Sequence, residues 1–236
     1  MSKKAILFDL DATLLPMDQD LFIKAYFKSL AEKLAHYGYE PKQLMNALFL
    51  GIDAMINNDG TQTNENAFWG KFKTVFGDKA IDDISLHEEY YKNDFDGLKC
   101  VCGFNSKASE VVKHLKSKGI RVILATNPVF PTIATHKRIV WAGLDKEDFE
   151  LITTFENSSY CKPNSKYYLE ILDKVGLSPC DCIMIGNDTR DDMSAKETGM
   201  DVFLLTDCLI NTENLDVSTF PNGSFDELLR YLYEKI

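Results

Sequence analysis

The sequence lacks long apolar runs. None of its apolar stretches approaches the roughly 18 residues that a membrane-spanning helix needs. The first such stretch starts at Ala5 and ends at Asp9, which makes it too short for the apolar part of a signal peptide. We therefore expect a cytoplasmic protein that has no membrane partner.

Basic residues are also scarce. The chain has 26 Lys and Arg residues against 36 Asp and Glu residues, a formal net charge of −10. Residues 17–98 contain eight lysines, no arginine and fourteen acidic residues, so this segment alone has a formal charge of −6. Nucleic-acid binding needs a basic surface, so we expect none. An anionic ligand would have to be held by a few local donors.

The six cysteines are scattered, and their spacing does not suggest a metal site. Cys100 and Cys102, like Cys180 and Cys182, are separated by one residue rather than by the two or more typical of zinc sites. We expect reduced thiols, as is usual inside cells. The glycine patterns of P-loop and dinucleotide sites do not occur, so neither type of site has support.

Short apolar segments alternate with helical patterns, which predicts an α/β fold with a mostly parallel sheet. The predicted strands are Ala5–Leu10, Ile120–Thr126, Leu151–Phe155, Cys182–Gly186 and Val202–Leu205. The predicted helices between them are Ser106–Lys118, Asn164–Val175 and Asp191–Thr198, each followed by a glycine that suits a C-terminal cap. A final helix is predicted to start at the capping box Ser224-Phe225-Asp226-Glu227.

Residues 17–98 interrupt this alternation. They contain no convincing strand, and their amphipathic segments predict the helices Asp20–Tyr37, Pro41–Asn57 and Asn64–Phe76. We therefore predict two domains: residues 1–16 and 99–236 form an α/β core, and residues 17–98 form a helical domain inserted into it.

Polar residues follow the predicted strands, at the edge of a parallel sheet where functional side chains collect. In chain order they are Asp9, Asp11, Thr126, Asn127, Lys162, Asp188, Asp191 and Asp192. Several carboxylates in a small volume coexist when a hard divalent cation neutralises them, and oxygen ligands favour Mg²⁺. A lysine and small hydrogen-bond donors beside such a site suit a phosphoryl group.

The order Asp-x-Asp-x-Thr, Thr-Asn, Lys and Gly-x-Asp-x-x-x-Asp resembles the four motifs of the haloacid dehalogenase superfamily of phosphatases. The motifs extend from Lys4 to about Met200. The resemblance implies a Rossmann-like core whose mostly parallel sheet is flanked by helices. It also implies that residues 17–98 form a mobile, mainly helical cap domain, and that the enzyme uses Mg²⁺.

The resemblance also implies roles for individual residues. Asp9 would be the nucleophile and a Mg²⁺ ligand, and Asp11 would be the general acid/base, with its backbone carbonyl on the metal. Thr126 and Asn127 would bind the phosphoryl group of the substrate. Lys162 would bind the same group and take part in catalysis.

The fourth motif implies Asp188 and Asp192 as further metal ligands. Many members of the superfamily have aspartate where this chain has Asn187, so the sequence leaves open which of Asp188, Asp191 and Asp192 contacts the metal. We favour Asp188, with Asp192 second. The superfamily usually has glycine at the position of Ala12, and the extra methyl group is expected to narrow the site or alter the turn.

The sequence predicts a Mg²⁺-dependent phosphomonoesterase that hydrolyses a small phosphorylated metabolite through an aspartyl-phosphate, as a monomer or a homodimer. Three alternatives stay open. A phosphonate hydrolase would need a cap lysine, for which Lys24 and Lys28 are available. A phosphotransferase or phosphomutase would need to grip a second phosphate, and a non-catalytic binding or regulatory protein would retain only the fold.

Overall fold

The computed structural model describes residues 3–236 and contains a six-stranded parallel sheet. Its strands are β1 (Ala5–Phe8), β2 (Arg121–Leu124), β3 (Leu151–Ile152), β4 (Cys182–Gly186), β5 (Asp201–Leu205) and β6 (Asn222–Gly223). Their order in the sheet is β3-β2-β1-β4-β5-β6, the order of a doubly wound Rossmann fold. The predicted α/β fold with a parallel sheet is confirmed.

Strand β1 lies in the middle of the sheet and is buried on both faces. Ile6 and Phe8 belong to one hydrophobic cluster, and Ala5 and Leu7 belong to a second cluster on the opposite face. Side chains alternate between the two faces of a strand, so a strand covered on both sides is apolar at every position. This is why the sequence Ala-Ile-Leu-Phe forms the centre of the sheet.

Residues 17–98, called the helical insertion below, lie between β1 and β2. The segment contains α1 (Gln19–Ala35), α2 (Pro41–Ile56), α3 (Asn64–Phe76), α4 (Lys79–Asp82) and α5 (Ile84–Asn93), followed by a 3₁₀ helix at Phe95–Val101. The three predicted helices are confirmed to within two residues at each end, whereas α4 and α5 were not predicted. Asp18, Glu40 and Thr63 accept hydrogen bonds from the first turns of α1, α2 and α3, and these caps fix where the helices begin.

Four helices cover the sheet: α6 (Ser106–Ser117), α7 (Thr132–Trp141), α8 (Ser165–Val175) and α9 (Phe225–Lys235). Helix α8 ends at Gly176, which adopts the left-handed conformation (φ 64°) expected of a C-terminal cap. The capping box of Ser224 and Glu227 begins α9 as predicted. Within the described part of the chain, no helix combines the length and apolar character needed to cross a bilayer.

The helical insertion shares one hydrophobic cluster with the α/β part of the chain. The ring of Tyr26 on α1 lies 5.1 Å from that of Phe130, and the ring of Phe95 lies 5.3 Å from that of Trp141 on α7. The chain enters and leaves the insertion at adjacent points, where the Gly103 N–H donates to the Pro16 carbonyl over 2.6 Å.

Several predicted elements are shorter in the structure. The strands predicted for Ala5–Leu10 and Ile120–Thr126 end at Phe8 and Leu124. The strand predicted for Leu151–Phe155 ends at Ile152, because the Asn157 side chain donates to the Ile152 carbonyl and accepts from the Thr154 N–H. In place of the α-helix predicted for Asp191–Thr198, the structure has a 3₁₀ helix at Met193–Thr198. Aspartate side chains before it bind backbone N–H groups and hold the chain in turns, a local competition that opposes helix formation.

Candidate active site

The predicted site residues follow three neighbouring strands. Asp9 follows β1, Thr126 and Asn127 come shortly after β2, and Asp188 follows β4. The sheet register aligns Phe8 of β1 with the carboxyl ends of both β2 and β4. In this strand order the connections change direction between β1 and β4, which is where open parallel sheets bind their ligands.

Lys162 connects three of the predicted residues. Its ammonium group donates to Asp9 Oδ1 over 2.8 Å and to Asp192 Oδ1 over 2.6 Å. Its backbone N–H donates to Asn127 Oδ1 over 3.2 Å. Since the side chain of Lys162 is only 2 % exposed, water cannot substitute for these contacts. The structure therefore brings together residues that are up to 183 positions apart in the chain, from Asp9 to Asp192.

The electrostatics of this cluster are unusual because one lysine faces several buried acids. Burial raises the pKa of Asp9 to about 7, an effect that Lys162 opposes and that the charges of Asp192 and Asp11 reinforce. Burial alone would lower the pKa of Lys162, but the two carboxylates beside it raise that pKa well above its ordinary value. The lysine is therefore charged, and the cluster keeps an excess of negative charge.

The residues after β4 are arranged by contacts among themselves. Asp188 Oδ1 accepts from the backbone N–H groups of Arg190 and Asp191, and burial raises the pKa of Asp188. Asp192 Oδ2 accepts from the Asp188 N–H, so Asp192 uses both carboxylate oxygens. A Cβ atom on Gly186 would lie 2.1 Å from the Asp192 carboxylate, so only glycine permits this close approach.

Asp191 also lies in the site. Its Oδ2 accepts from the side-chain amide of Asn127 over 3.3 Å. Burial, together with the charge of Asp188, raises the pKa of Asp191 to about 6. All three acids of the fourth motif therefore lie near the end of β4, and the two with oxygens not committed to Lys162 are Asp188 and Asp191.

The two departures from the superfamily pattern have different structural consequences. The Asn187 side chain accepts from Thr13 Oγ1 over 2.9 Å and donates to the Cys208 carbonyl over 2.8 Å, so it links the turn after β1 to the loop after β5. Ala12 adopts a left-handed conformation with φ 60°, which is strained for a residue with a Cβ atom. The glycine usual at this position would adopt it freely.

Asp11 is bound by Arg138, a residue that the sequence analysis did not identify. Its Oδ2 accepts a hydrogen bond from Nη1 of Arg138, whereas its Oδ1 is buried without a hydrogen-bond partner. Arg138 lies on α7 and is completely buried. The sequence does contain a signal for a buried arginine, because Arg138 directly precedes the apolar triplet Ile139-Val140-Trp141. The helix that carries it, α7, was not predicted.

A cavity of about 910 Å³ lies between the helical insertion and α7. Its walls are mostly apolar and include the side chains of Ile23, Tyr26, Phe27, Trp69, Phe130 and Val140. Phe130 forms part of this wall, and its ring also stacks on the Arg138 guanidinium group at 4.3 Å. Phe130 therefore contributes both to the cavity wall and to the packing of Arg138.

The chemistry of the donor set fits a divalent cation. Among residues 3–236, no three Asp, Glu, His or Cys side chains are gathered closely enough to bind a metal by themselves. A site that combines two carboxylates with a backbone carbonyl does not need three. Burial raises the pKa of Asp9, Asp188 and Asp191, the neighbouring carboxylates reinforce this effect, and the charge of Lys162 does not fully offset it. A hard cation with oxygen ligands would offset it.

Comparison with known proteins identifies the family. The sequence profile of the haloacid dehalogenase-like hydrolase family matches residues 6–205 of this chain. The chain belongs to this family. The chain is 27 % identical over 211 residues to the glyceraldehyde 3-phosphate phosphatase of Methanothermobacter thermautotrophicus. The alignment covers 89 % of this chain and 88 % of that protein.

Solved structures of haloacid dehalogenase-like hydrolases have the same fold. A 2-haloacid dehalogenase from Pseudomonas syringae pv. Tomato superposes with a TM-score of 0.65 at 16 % identity, covering 98 % of this chain and 99 % of that one. The hydrolase YfnB from Bacillus subtilis, whose structure contains magnesium, superposes with a TM-score of 0.57 at 17 % identity, with coverages of 98 % and 99 %. At these identities the likeness establishes the fold.

Proposed function

We propose that this haloacid dehalogenase-like hydrolase is a Mg²⁺-dependent phosphomonoesterase acting on a small phosphorylated metabolite. The observation that supports the proposal most strongly is the buried contact of Lys162 with Asp9 and Asp192 at the carboxyl end of β1. A lysine fixed beside a buried carboxylate provides a cationic position for a phosphoryl oxygen next to a nucleophile. The similarity to a curated phosphatase over most of the chain supports the same function.

In this proposal, Asp9 attacks the phosphorus atom and the ester oxygen leaves. The new bond joins an Asp9 carboxylate oxygen to phosphorus, and the product alcohol takes a proton from Asp11. Lys162, Thr126 and Asn127 hold the phosphoryl oxygens. Asp11 then takes a proton from a water molecule, whose oxygen attacks phosphorus, and Asp9 is released together with inorganic phosphate.

Mg²⁺ would be held by the side chains of Asp9 and Asp188 and by the backbone carbonyl of Asp11. Asp192 stays a proposed ligand from the sequence, although in this structure both of its oxygens already have partners. When bound, the cation supplies positive charge that offsets the charge of the carboxylates and the phosphoryl group.

A purified preparation tested with Mg²⁺ against a panel of phosphate esters would test the proposal. The panel should contain sugar phosphates, nucleotides, phosphorylated glycolytic acids and, because a relative acts on it, glyceraldehyde 3-phosphate. We expect turnover of at least one ester, its loss on chelation and its recovery with Mg²⁺. Absence of Mg²⁺-dependent turnover across the panel would instead favour a non-catalytic protein.

Two variants test the choice among the acids of the fourth motif. Asp188→Asn should raise the Mg²⁺ concentration needed for half-maximal activity more than Asp191→Asn does. Both residues are partly buried at the end of β4, so each serves as a control for the other. The reverse order would assign the metal contact to Asp191.

We further propose that residues 17–98 act as a cap that recognises the leaving group, with the α/β core at residues 1–16 and 99–236. Phe27 lines the cavity between the helical insertion and α7, whereas Phe22, five positions earlier, is buried in the hydrophobic cluster. Phe27→Ala should therefore change the ranking of substrates, and it should lower thermal stability less than Phe22→Ala does. An equal loss of activity on every substrate would contradict a recognition role.

The structure argues against one of the alternatives. A phosphonate hydrolase would use a cap lysine as a nucleophile, and a lysine becomes nucleophilic at neutral pH when burial lowers its pKa. Lys24 and Lys28 on α1 are both exposed to solvent. Neither residue therefore has the environment that this chemistry needs.

A further inference from the structure

We propose that Arg138 is a positioning residue that holds Asp11 for proton transfer. The inference rests on the proposed function, because it assigns Arg138 a part in the same reaction. In this arrangement Arg138 binds Oδ2 of Asp11 and leaves Oδ1 as the oxygen that exchanges the proton.

Arg138 is itself held firmly by its surroundings. Its Nε donates to the Ala134 carbonyl over 3.3 Å, and its Nη2 donates to Thr135 Oγ1 over 3.3 Å. The face of its guanidinium group lies against Phe130. The Nη1 group is the donor that remains for Asp11. Because the guanidinium group is planar and anchored on α7, the direction in which it donates is fixed.

The state of the Asp11 carboxylate complements this arrangement. Its Oδ2 is bound by Arg138, and its Oδ1 is buried without a partner. A buried carboxylate oxygen that lacks a donor is unfavourable, so Oδ1 is an acceptor that a hydroxyl group of the substrate or of water would satisfy. When Oδ1 carries the proton, Oδ2 still accepts from Arg138. The contact therefore fixes the position of the carboxyl group in both protonation states.

Stability alone does not explain an arginine at this position. A buried ion pair is often no more stable than apolar side chains of similar volume, because both charges lose their hydration. Arg138 is followed by apolar residues on a helix that packs into the hydrophobic cluster, where a methionine would avoid that cost. Holding Asp11 is a function that the apolar residue could not perform.

The test compares four proteins: wild type, Arg138→Met, Asp11→Asn and the double variant. Each is mixed rapidly, in the presence of Mg²⁺, with p-nitrophenyl phosphate and with an alkyl phosphate that the wild type hydrolyses. The rate of the first step is taken from the release of alcohol in the first turnover. An aryl leaving group departs with little protonation, whereas an alkoxide needs the acid.

We expect Arg138→Met to slow the first step on the alkyl phosphate by about 100-fold, and on p-nitrophenyl phosphate by less than about 10-fold. In the Asp11→Asn background, the same change should alter either rate by less than about twofold, because the carboxylate that Arg138 holds is already absent. Arg138→Lys should restore part of the alkyl phosphate rate. Equal losses of rate on both substrates would overturn the inference. It would also be overturned if the rate of the double variant fell by the product of the factors seen in the two single variants.

Arg121→Met is the matched control, because Arg121 also pairs with a carboxylate, that of Glu150, but is partly exposed and does not contact Asp11. It should leave the ratio of the two rates unchanged. If Arg138→Met fails to fold, the double variant still decides, because it removes both charges of the pair and is compared directly with Asp11→Asn. An inactive wild type would overturn the proposed function and this inference together, whereas an active wild type with multiplying losses would overturn the inference alone.

Discussion

Replacing Lys162 by methionine removes the ammonium group that lies between two buried carboxylates. The side chains of Lys162 and Asp192 are each 2 % exposed, and that of Asp9 is 10 % exposed. Removing one partner of a buried ion pair costs about 3–5 kcal/mol, because the remaining charge is left without compensation. Two carboxylates are left here, so we expect a loss of about 4–5 kcal/mol, a large part of the stability of an ordinary domain.

Urea unfolding in the absence of divalent cations measures this loss. With a slope of about 2 kcal/mol per molar urea, the midpoint of Lys162→Met should fall by about 2 M while the slope stays the same. Adding Asp192→Asn should recover a substantial part of the lost stability, since one of the two uncompensated charges is removed. Lys28→Met is the exposed control, because Lys28 faces Glu32 at 3.9 Å on the surface, and it should leave the midpoint unchanged.

The loss should also depend on pH in a defined direction. Burial already raises the pKa of Asp9 to about 7 with Lys162 present, and removing the lysine raises it further. The folded variant then binds a proton that the unfolded chain has released, so its stability falls as the pH rises. The destabilisation should therefore be larger at pH 9 than at pH 6. A Lys162→Met protein with the wild-type midpoint at both pH values would refute the description of this cluster.

Three further predictions concern single positions. Asp9→Asn should form no phosphoenzyme with any substrate, whereas wild type quenched during turnover should gain one phosphoryl group by intact-mass analysis; a phosphorylated variant would assign another nucleophile. Burial lowers the pKa of His87 from 6.5 to about 4, so the unfolded chain binds more protons at this residue between these values; His87 should therefore contribute a pH slope in which stability falls by about 2 kcal/mol from pH 8 to pH 5, opposed by the contributions of Asp9 and Asp191. Urea titrations should show that His87→Phe loses this slope while the exposed control His36→Gln keeps it, and an unchanged slope in His87→Phe would contradict the assignment. Ala12→Gly should raise the free energy of unfolding by about 0.5–1 kcal/mol by releasing the strain at φ 60°, and a loss of stability would show that the methyl contacts of Ala12 outweigh that strain.

The part of the fold that the sequence predicts is the part encoded by local patterns. Apolar strands that end in polar residues place Asp9, Asn127 and Asp188 correctly at one edge of the sheet. Capping residues and terminal glycines, such as Ser224 and Gly176, predict helix ends because they act within a few residues of their own position.

The parts that the sequence does not predict depend on distant contacts. Helix α7 begins after Pro131, and the N–H of Thr132 in its first turn is bound by both carboxylate oxygens of Glu156, which lies 24 positions later. No local pattern near Thr132 indicates that partner. Because α7 was not predicted, the contact between Arg138 and Asp11, 127 positions apart, could not be predicted either.

The adjacent ends of the helical insertion have a consequence for how this protein could change over evolution. Pro16 and Gly103 are joined by a backbone hydrogen bond, and Met17 pairs with Cys102 beside it. A segment whose ends already meet can be lengthened, shortened or exchanged without stretching the chain on either side, since closing a longer loop adds little entropic cost. The proposed site residues Asp9, Lys162 and Asp188 lie outside that segment. If residues 17–98 recognise the leaving group as proposed, recombination at this junction would give the proposed reaction centre a new set of substrates in one step.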